Sequence, residues 1–307
     1  MSDAPAPDPA GLRYARHWEP VLAGPGARLL ERVAALLELS AAASTPALVL
    51  DLGTGTGSLA LAAALRWPSA RIVGLDASAA MLSAARHRTA EEGAPAGPGR
   101  FEWIVADAAA MPLADASVDV VLCAFMLQLA SDRRAVLREV GRVLRPGGWL
   151  GIVTWLADEL ALAPDLEFDE AVYDLGLEDP EAEVEAPPPD DIADAATLRA
   201  ELETAGFTAV DAQPDRLEFG WSRREYLDFK ADYDEWDLLD SLSSRDRSRL
   251  RERLVERWAA LPDEAFTLRA PLVAATARRP DGGWVAGHGP QAANGEASRG
   301  RQTRQGW

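Results

Sequence analysis

The chain has 307 residues, of which 48% are apolar and 26% charged, and its formal net charge is −18. This length and apolar content suit one large α/β domain with insertions, or two small ones, and exclude a wholly disordered chain. The charge balance opposes phosphate backbones and anionic membrane surfaces as partners. The single cysteine, Cys123, leaves no intramolecular disulfide and no thiolate metal cluster. No run of about 18 apolar residues is present to span a bilayer. The first residues, rich in Pro, Ala and Asp, lack the basic-then-apolar order of a signal peptide, so the expected location is cytoplasmic.

In chain order, residues 1–11 read as a flexible tail and residues 12–279 as one folded unit with its core at 45–157. Short apolar runs at 47–52, 71–76, 101–106, 118–124 and 149–155 predict buried strands. The stretches 58–66, 78–91 and 132–144 between them predict helices, the last running into Arg145-Pro146-Gly147-Gly148. Proline cannot continue a helical ladder and glycine accepts the left-handed cap, so a helix stops there. Strand–helix–strand alternation at this spacing implies right-handed βαβ units and a doubly wound α/β fold.

Residues 158–194 contain fifteen Asp or Glu and no Lys or Arg, and so carry −15 of the −18. Carboxylates in that number cannot be buried together without counter-charges, which predicts a mobile acidic cap or loop rather than sheet. Such a segment could attract a cationic substrate; the plainer reading is a solvated loop. Further on, a helix is predicted at 197–205 and a strand at 207–212. A capping box, Ser222–Glu225, opens a helix with Tyr226, Phe229, Tyr233 and Trp236 on one face. A helix at 245–260 and a strand at 271–277 follow. Residues 280–307, rich in Gly, Gln, Ser and Arg without apolar period, predict a disordered tail.

The chemical signal is strongest at Val49-Leu50-Asp51-Leu52-Gly53-Thr54-Gly55-Thr56-Gly57, an apolar strand entering a glycine loop that opens a helix. Glycines let the backbone turn tightly and approach a ligand, and the helix start offers N–H groups and a positive dipole end. A dinucleotide fingerprint would be G-x-G-x-x-G; here the spacing is G-x-G-x-G, with Ser58 where the third glycine would stand. Asp51, two residues before the first glycine, would repel a pyrophosphate and attract an α-amino group, directly or through a water. The pattern favours an amino-acid-bearing nucleotide over NAD. Asp76 ends the second strand where a ribose diol would lie; the alternative is a cap on the helix that follows. Asp107, after the third strand, could accept from an adenine amino group, with the Ala108 backbone N–H reaching a ring nitrogen; turns also favour Asp.

Together these residues, with Met111-Pro112-Leu113, Ser117-Val118-Asp119-Val120-Val121 and Leu144-Arg145-Pro146-Gly147-Gly148 in that order, resemble the class I S-adenosylmethionine (SAM)-dependent methyltransferases. The resemblance is to the branch that includes the ubiquinone and menaquinone C-methyltransferases, strong over about 47–155 and looser to 277. It implies a Rossmann-like seven-stranded sheet with helices on both faces, a helical and acidic cap insertion, and an antiparallel last hairpin that uses 207–212 and 271–277. It implies SAM as cofactor, with Gly53, Thr54, Gly55 and Gly57 around its methionine moiety, Asp76 and Ala77 at the ribose, and Asp107 and Ala108 at the adenine. Met81 would pack near the nucleoside or simply in the core. Ala124 would stand beside the cofactor after strand four, and Tyr14 would cover it from an N-terminal helix.

The residues after strand four lack an Asn/Asp-Pro-Pro-Tyr motif, and the end of strand five lacks an Asp-Asn pair, so neither an amide N-methyltransferase nor a magnesium-dependent catechol-type enzyme is expected, and no metal. No general base is identifiable. His17 and Gln128 are the candidate catalytic residues; Gln128 can orient a substrate but cannot take up a proton. His87 reads as a solvated helix residue and His288 lies in the tail. An acceptor that is already acidic, a phenol-like oxygen or an activated carbon, is therefore favoured on a small-molecule substrate, with neither nucleic acid nor membrane as partner. The pocket would be walled by residues 12–30, 125–130, the acidic insert and the aromatic helix. Two alternatives stay open, a SAM-binding regulatory or assembly protein that does not catalyse and an NAD-dependent oxidoreductase.

Overall fold

A computed structural model describes residues 8–39, 45–91, 100–156, 162–177, 192–282 and 284. Seven strands form one sheet in the order β3-β2-β1-β4-β5-β7-β6. They are β1 (Leu48–Leu52), β2 (Arg71–Asp76), β3 (Phe101–Val105), β4 (Val118–Ala124), β5 (Leu144–Trp155), β6 (Thr208–Gly220) and β7 (Thr267–Arg278). The first five pair in parallel, while β7 runs antiparallel to both β5 and β6. The α/β class, the seven strands and the antiparallel last hairpin all agree with the reading of the sequence.

Burial on both faces explains the continuous apolar runs, because a parallel sheet covered by helices needs apolar residues at every position. Successive residues alternate between two cores. Val49, Ile72, Val120 and Leu122 point to one side, where Leu30, Val33, Ala60 and Ala63 of α2 (Glu19–Leu39) and α3 (Ser58–Arg66) cover them. Leu50, Val73, Val121 and Cys123 point to the other, under Val136, Leu137 and Val140 of α5 (Arg133–Val143) and Leu198 and Leu202 of α7 (Ala195–Thr204). The helix α4 (Ala79–Glu91) follows β2. Strand order reverses between β1 and β4, and in open α/β sheets that reversal is where ligands bind, beyond the carboxyl ends of the strands.

Several boundaries are corrected. The helix α1 (Pro9–His17) begins inside the expected N-terminal tail, because Asp8 accepts the Ala10 N–H at 2.9 Å and proline is pre-shaped for a first turn. At the other end the chain stays packed past 280, with the Trp284 ring edge-on to Phe207 at 5.0 Å; the rest of that expected tail, including His288, lies outside the described residues. Strand β6 runs on to Gly220 although it contains Pro214, which an edge strand tolerates.

The acidic segment is also more structured than a loop. Its residues 163–175 form α6 (Ala163–Leu175), packed through Phe168, Ala171 and Val172 on α8 (Arg223–Phe229) and α10 (Ser244–Ala259). The counter-charges come from elsewhere in the chain. Arg257 pairs with Glu167 and Asp174, Arg253 with Asp174 at 2.9 Å, and Lys230 with Asp165 at 3.2 Å. Residues 158–161 and 178–191 lie outside the described residues. The aromatic helix is interrupted as well. After α8 comes a π turn, Lys230–Asp234, and then α9 (Trp236–Ser241). That turn changes the helical phase, so Tyr226, Phe229 and Tyr233 meet ring to ring while Trp236 lies instead under the Arg13 guanidinium, 3.9 Å from its centroid.

Candidate functional site

Where β1 ends, the backbone turns through Gly53, Gly55 and Gly57, all at positive φ, before α3 begins. Gly53 can be nothing else, since its φ is +71° and a Cβ there would lie 2.3 Å from Met126 Cγ. The Gly53 and Thr54 N–H groups donate to the Leu75 carbonyl at 2.8 and 3.1 Å, which ties the loop to the end of β2.

Two carboxylates flank this loop. Asp51 is 1% exposed and accepts from Thr54 Oγ1 at 2.6 Å. Burial pushes its carboxyl up to about 7, against the hydrogen bonds from Thr54 and the Ala60 backbone, and nearby Asp76 adds to the rise. Asp76, half-buried, accepts from the Gly55 N–H and the Ser78 N–H, each at 2.8 Å. Its carboxyl also rises through burial, with those backbone donors opposing. Thus Asp76 braces the glycine loop and the turn into α4, but the cap position of that helix is Ser78, whose Oγ lies 3.3 Å from the Met81 N–H. Neither Asp51 nor Asp76 has an ion-pair partner among the described residues.

The N-terminal helices close over the loop. Gly11, Tyr14 and Trp18 share the inward face of α1 and the residue after it. A Cβ on Gly11 would touch the Ala80 carbonyl and Ala84 of α4, and one on Gly55 would stand 3.9 Å from the Tyr14 ring. The Tyr14 phenol is held far above its usual range, by burial first and then by Tyr233, Glu19, Asp76 and Asp51, so it stays neutral. Glu19 takes the Thr56 hydroxyl on one oxygen and Arg88 on the other, joining α2, the loop and α4.

Met81 and Ala77 begin the α4 side of the site; Met81 is half-buried, its N–H 3.3 Å from Ser78 Oγ, and Ala77 is exposed. Asp107 is exposed and accepts the Ala109 N–H at 2.8 Å in a local turn, with Ala108 half-buried beside it. Ala124 ends β4, and Phe125 follows at φ +54° with 8% exposure. Phe125 packs on Trp155, the last residue of β5, at 5.0 Å between ring centroids. Trp18 stacks within 6.4 Å of Trp155, Phe229 and Tyr233. An aromatic wall therefore stands over the carboxyl ends of β4 and β5.

The two candidate catalytic side chains are elsewhere or already engaged. Gln128 donates to the Phe125 carbonyl and accepts from Thr154 Oγ1, both at 2.6 Å, so its amide fixes the turn after β4. His17 lies on the outward face of α1, 3.5 Å from Asp232, away from the glycine loop.

Residues 49–148 match the family described as "Methyltransferase domain". Over that stretch the chain carries a class I SAM-dependent methyltransferase domain. The ubiquinone/menaquinone biosynthesis C-methyltransferase of Desulfotalea psychrophila is 40% identical over 100 residues, 33% of this chain and 38% of that protein. The arsenite methyltransferase of Halobacterium salinarum is 32% identical over 190 residues, 61% of this chain and 41% of that protein. A solved chain from the complex of the Haloferax volcanii Trm112 methyltransferase activator with a methyltransferase superposes with a TM-score of 0.50. It is 20% identical, covers 88% of this chain and 94% of its own, and speaks to the fold. The chain spans less than half the length of the curated relatives it matches, 38% and 34% of the first two.

The matched stretch of the methyltransferase domain ends before the cap, so it covers the glycine loop, Asp76 and Asp107 but not α1, α6 or α8. Trp18 and Glu19 fall within the stretch 12–30 expected to wall the pocket but carry no individual signal as contacts, and Trp155 lies outside the expected walls. For Trp155 a signal existed, an aromatic at the carboxyl end of a predicted strand. For Glu19 none existed, because its partners Thr56 and Arg88 are 37 and 69 residues away.

Proposed function

We propose that the chain is a SAM-dependent methyltransferase acting on a small molecule, with a phenol-like oxygen or an activated carbon as acceptor. One observation carries the cofactor reading, the pair of unneutralised carboxylates, Asp51 and Asp76, beside a glycine loop. A pyrophosphate would meet repulsion there. SAM, cationic at its sulfonium and its ammonium, would relieve the cost that burial imposes on Asp51. The donor set therefore fits SAM and not NAD. Asp51 and the Gly53–Gly57 loop would hold the amino-acid end, Asp76 the ribose and Asp107 the adenine, with Tyr14 and Glu19 closing the site from water.

When bound, SAM supplies the activated methyl group, and the work left to the protein is positioning and exclusion of water. Gln128 and Thr154 fix the Phe125 turn, and Trp18, Phe125 and Trp155 offer flat apolar surface to a planar acceptor. Neither the neutral Tyr14 phenol nor the engaged Gln128 amide can take a proton there, which supports an acceptor acidic enough to need no strong base. The named relatives act on a quinone-biosynthesis carbon and on arsenite; the aromatic wall favours the first kind of acceptor.

Calorimetry tests the cofactor. SAM and its demethylated product are expected to bind and NAD is not; micromolar NAD binding with none for SAM overturns the proposal. The pH dependence is a sharper check. Burial raises Asp51 from the ordinary carboxylate range to about 7 in the free protein. Its stability contribution is thus present below the usual carboxylate value and lost as pH rises through about 7. SAM needs the ionised form, so its affinity rises with pH, approaching about tenfold per unit below that value and flattening above. Asp51→Asn should abolish the slope, and a slope that persists in this variant would assign the proton to another group.

A further inference from the structure

A cavity of about 570 Å3 opens between α1 and the cap helices, within the size range of small-molecule sites. It is distinct from the glycine loop, because the two use opposite faces of α1. Gly11, Tyr14 and Trp18 lie inward, whereas Leu12, Arg13, Arg16 and His17 line the cavity. Its floor is apolar, from Phe168, Leu227, Leu250 and Leu254, with Trp236 at the side. Its charged rim runs against the balance of the whole chain. Arg13, Arg16, Lys230, Arg247 and Arg251 face Asp232 and Asp240. Lys230 is satisfied by Asp165, Asp234 and Glu235, and Arg16 lies 3.7 Å from Asp232. Arg249, Arg253 and Arg257 of α10 each pair with an acid. Arg247 and Arg251, one turn apart on the cavity side of the same helix, have no ion-pair partner among the described residues.

A second observation points to a ligand. The His17 side chain is 9% exposed, and its Nε2 lines the cavity with only a long contact to Asp232, 3.5 Å, and no closer hydrogen bond among the described residues. A buried polar atom left in that state costs free energy that a ligand oxygen could recover.

We propose that this cavity binds an organic anion with an apolar body, its head group at Arg13, Arg247 and Arg251 and its body on the leucine floor. Three guanidinium groups around an apolar chamber suit a carboxylate on a hydrocarbon. The site stands whether or not the glycine loop holds SAM, since no residue is shared.

The full-length chain is titrated calorimetrically with octanoate, 1-octanol and octylammonium. Octanoate is expected to bind saturably and more tightly than either control, and Arg247→Gln/Arg251→Gln to weaken it at least about tenfold. Both arginines are exposed on α10 and glutamine is a good helix former, so the fold is kept. Octanol binding as tightly as octanoate, unchanged octanoate affinity in the double variant, or no saturable octanoate binding each overturns the proposal. SAM affinity in the same variant should equal the parent's. A protein that takes octanoate but no SAM defeats the methyltransferase reading and leaves this one standing.

Discussion

Asp76→Ala is expected to weaken SAM binding by about 100-fold or more. The carboxylate already accepts the Gly55 and Ser78 N–H groups, each at 2.8 Å. Each ionised oxygen has a second acceptor position, so the ribose hydroxyls can be served at the same time. Alanine removes two charge-assisted bonds to the ligand, each about 1.5–3 kcal/mol, and frees the Gly55 N–H that holds the loop in shape. Asp76→Asn keeps the size and one acceptor oxygen but presents an NH2 to one of its present donors, so it should fall between alanine and the parent. Loss of the bonds to the Gly55 and Ser78 N–H groups costs about 1 kcal/mol or more in stability, and the melting temperature of the alanine variant should drop wherever the ribose lies. Affinity therefore decides. Calorimetric affinities and melting curves for both variants provide the check. A folded Asp76→Ala protein with the parent's SAM affinity would move the ribose elsewhere, and the roles given to Asp51 and Asp107 would move with it.

How much of this was legible in the sequence depends on how local each cause is. Strands β2 and β4 and helix α3 have the ends expected from their apolar runs, because burial on both faces leaves a continuous signal. The glycine loop was legible because spacing alone fixes its backbone. Helix α2 was not, since Gly24-Pro25-Gly26 reads as a helix breaker. The helix nevertheless continues through it, with Pro25 and Gly26 buried and Gly26 facing Leu59 of α3. The helix α6 was hidden by its own charge. Phe168, Ala171 and Val172 have helical spacing, but the arginines that neutralise the segment lie more than 75 residues downstream, 79 to 83 and 90 positions from their partners. Phase was lost at the π turn, where local periodicity placed Trp236 with Tyr233 although it faces Arg13. Residues marked by a motif carry a local signal, and those placed by a tertiary partner, Glu19 above all, carry none.

Lys230→Met is expected to destabilise the protein by about 3–5 kcal/mol, towards the lower end. Lys230 is 3% exposed, and its Nζ lies 3.2 Å from both Asp165 and Glu235 and closer still to Asp234. Burial alone would pull the ammonium below its usual range; the three carboxylates overcome this and hold it well above. Methionine keeps the aliphatic stem and deletes the charge, which sits 4.7 Å over the Phe168 ring centroid. Three carboxylates then face one another with no cation, and Asp165 must still accept the Tyr226 hydroxyl at 2.6 Å. Their side chains are between 24% and 32% exposed, so water relieves part of the repulsion. Burial already raises Glu235, and Lys230 opposes that rise. Without Lys230 it climbs further, which makes the variant's deficit a function of pH. A raised carboxylate contributes stability at low pH and loses it as pH climbs through the folded-state value. The variant should therefore approach the parent near pH 4, about the usual carboxylate value, and fall behind it at pH 7. Adding Asp234→Asn and Glu235→Gln to Lys230→Met should restore much of the loss at pH 7, since a neutral cluster needs no cation. Urea midpoints at both pH values measure this. Parent-like stability of Lys230→Met at pH 7 would show that the cap is held by its apolar core of Tyr226, Phe168 and Trp258, and that the buried ion cluster adds nothing to it.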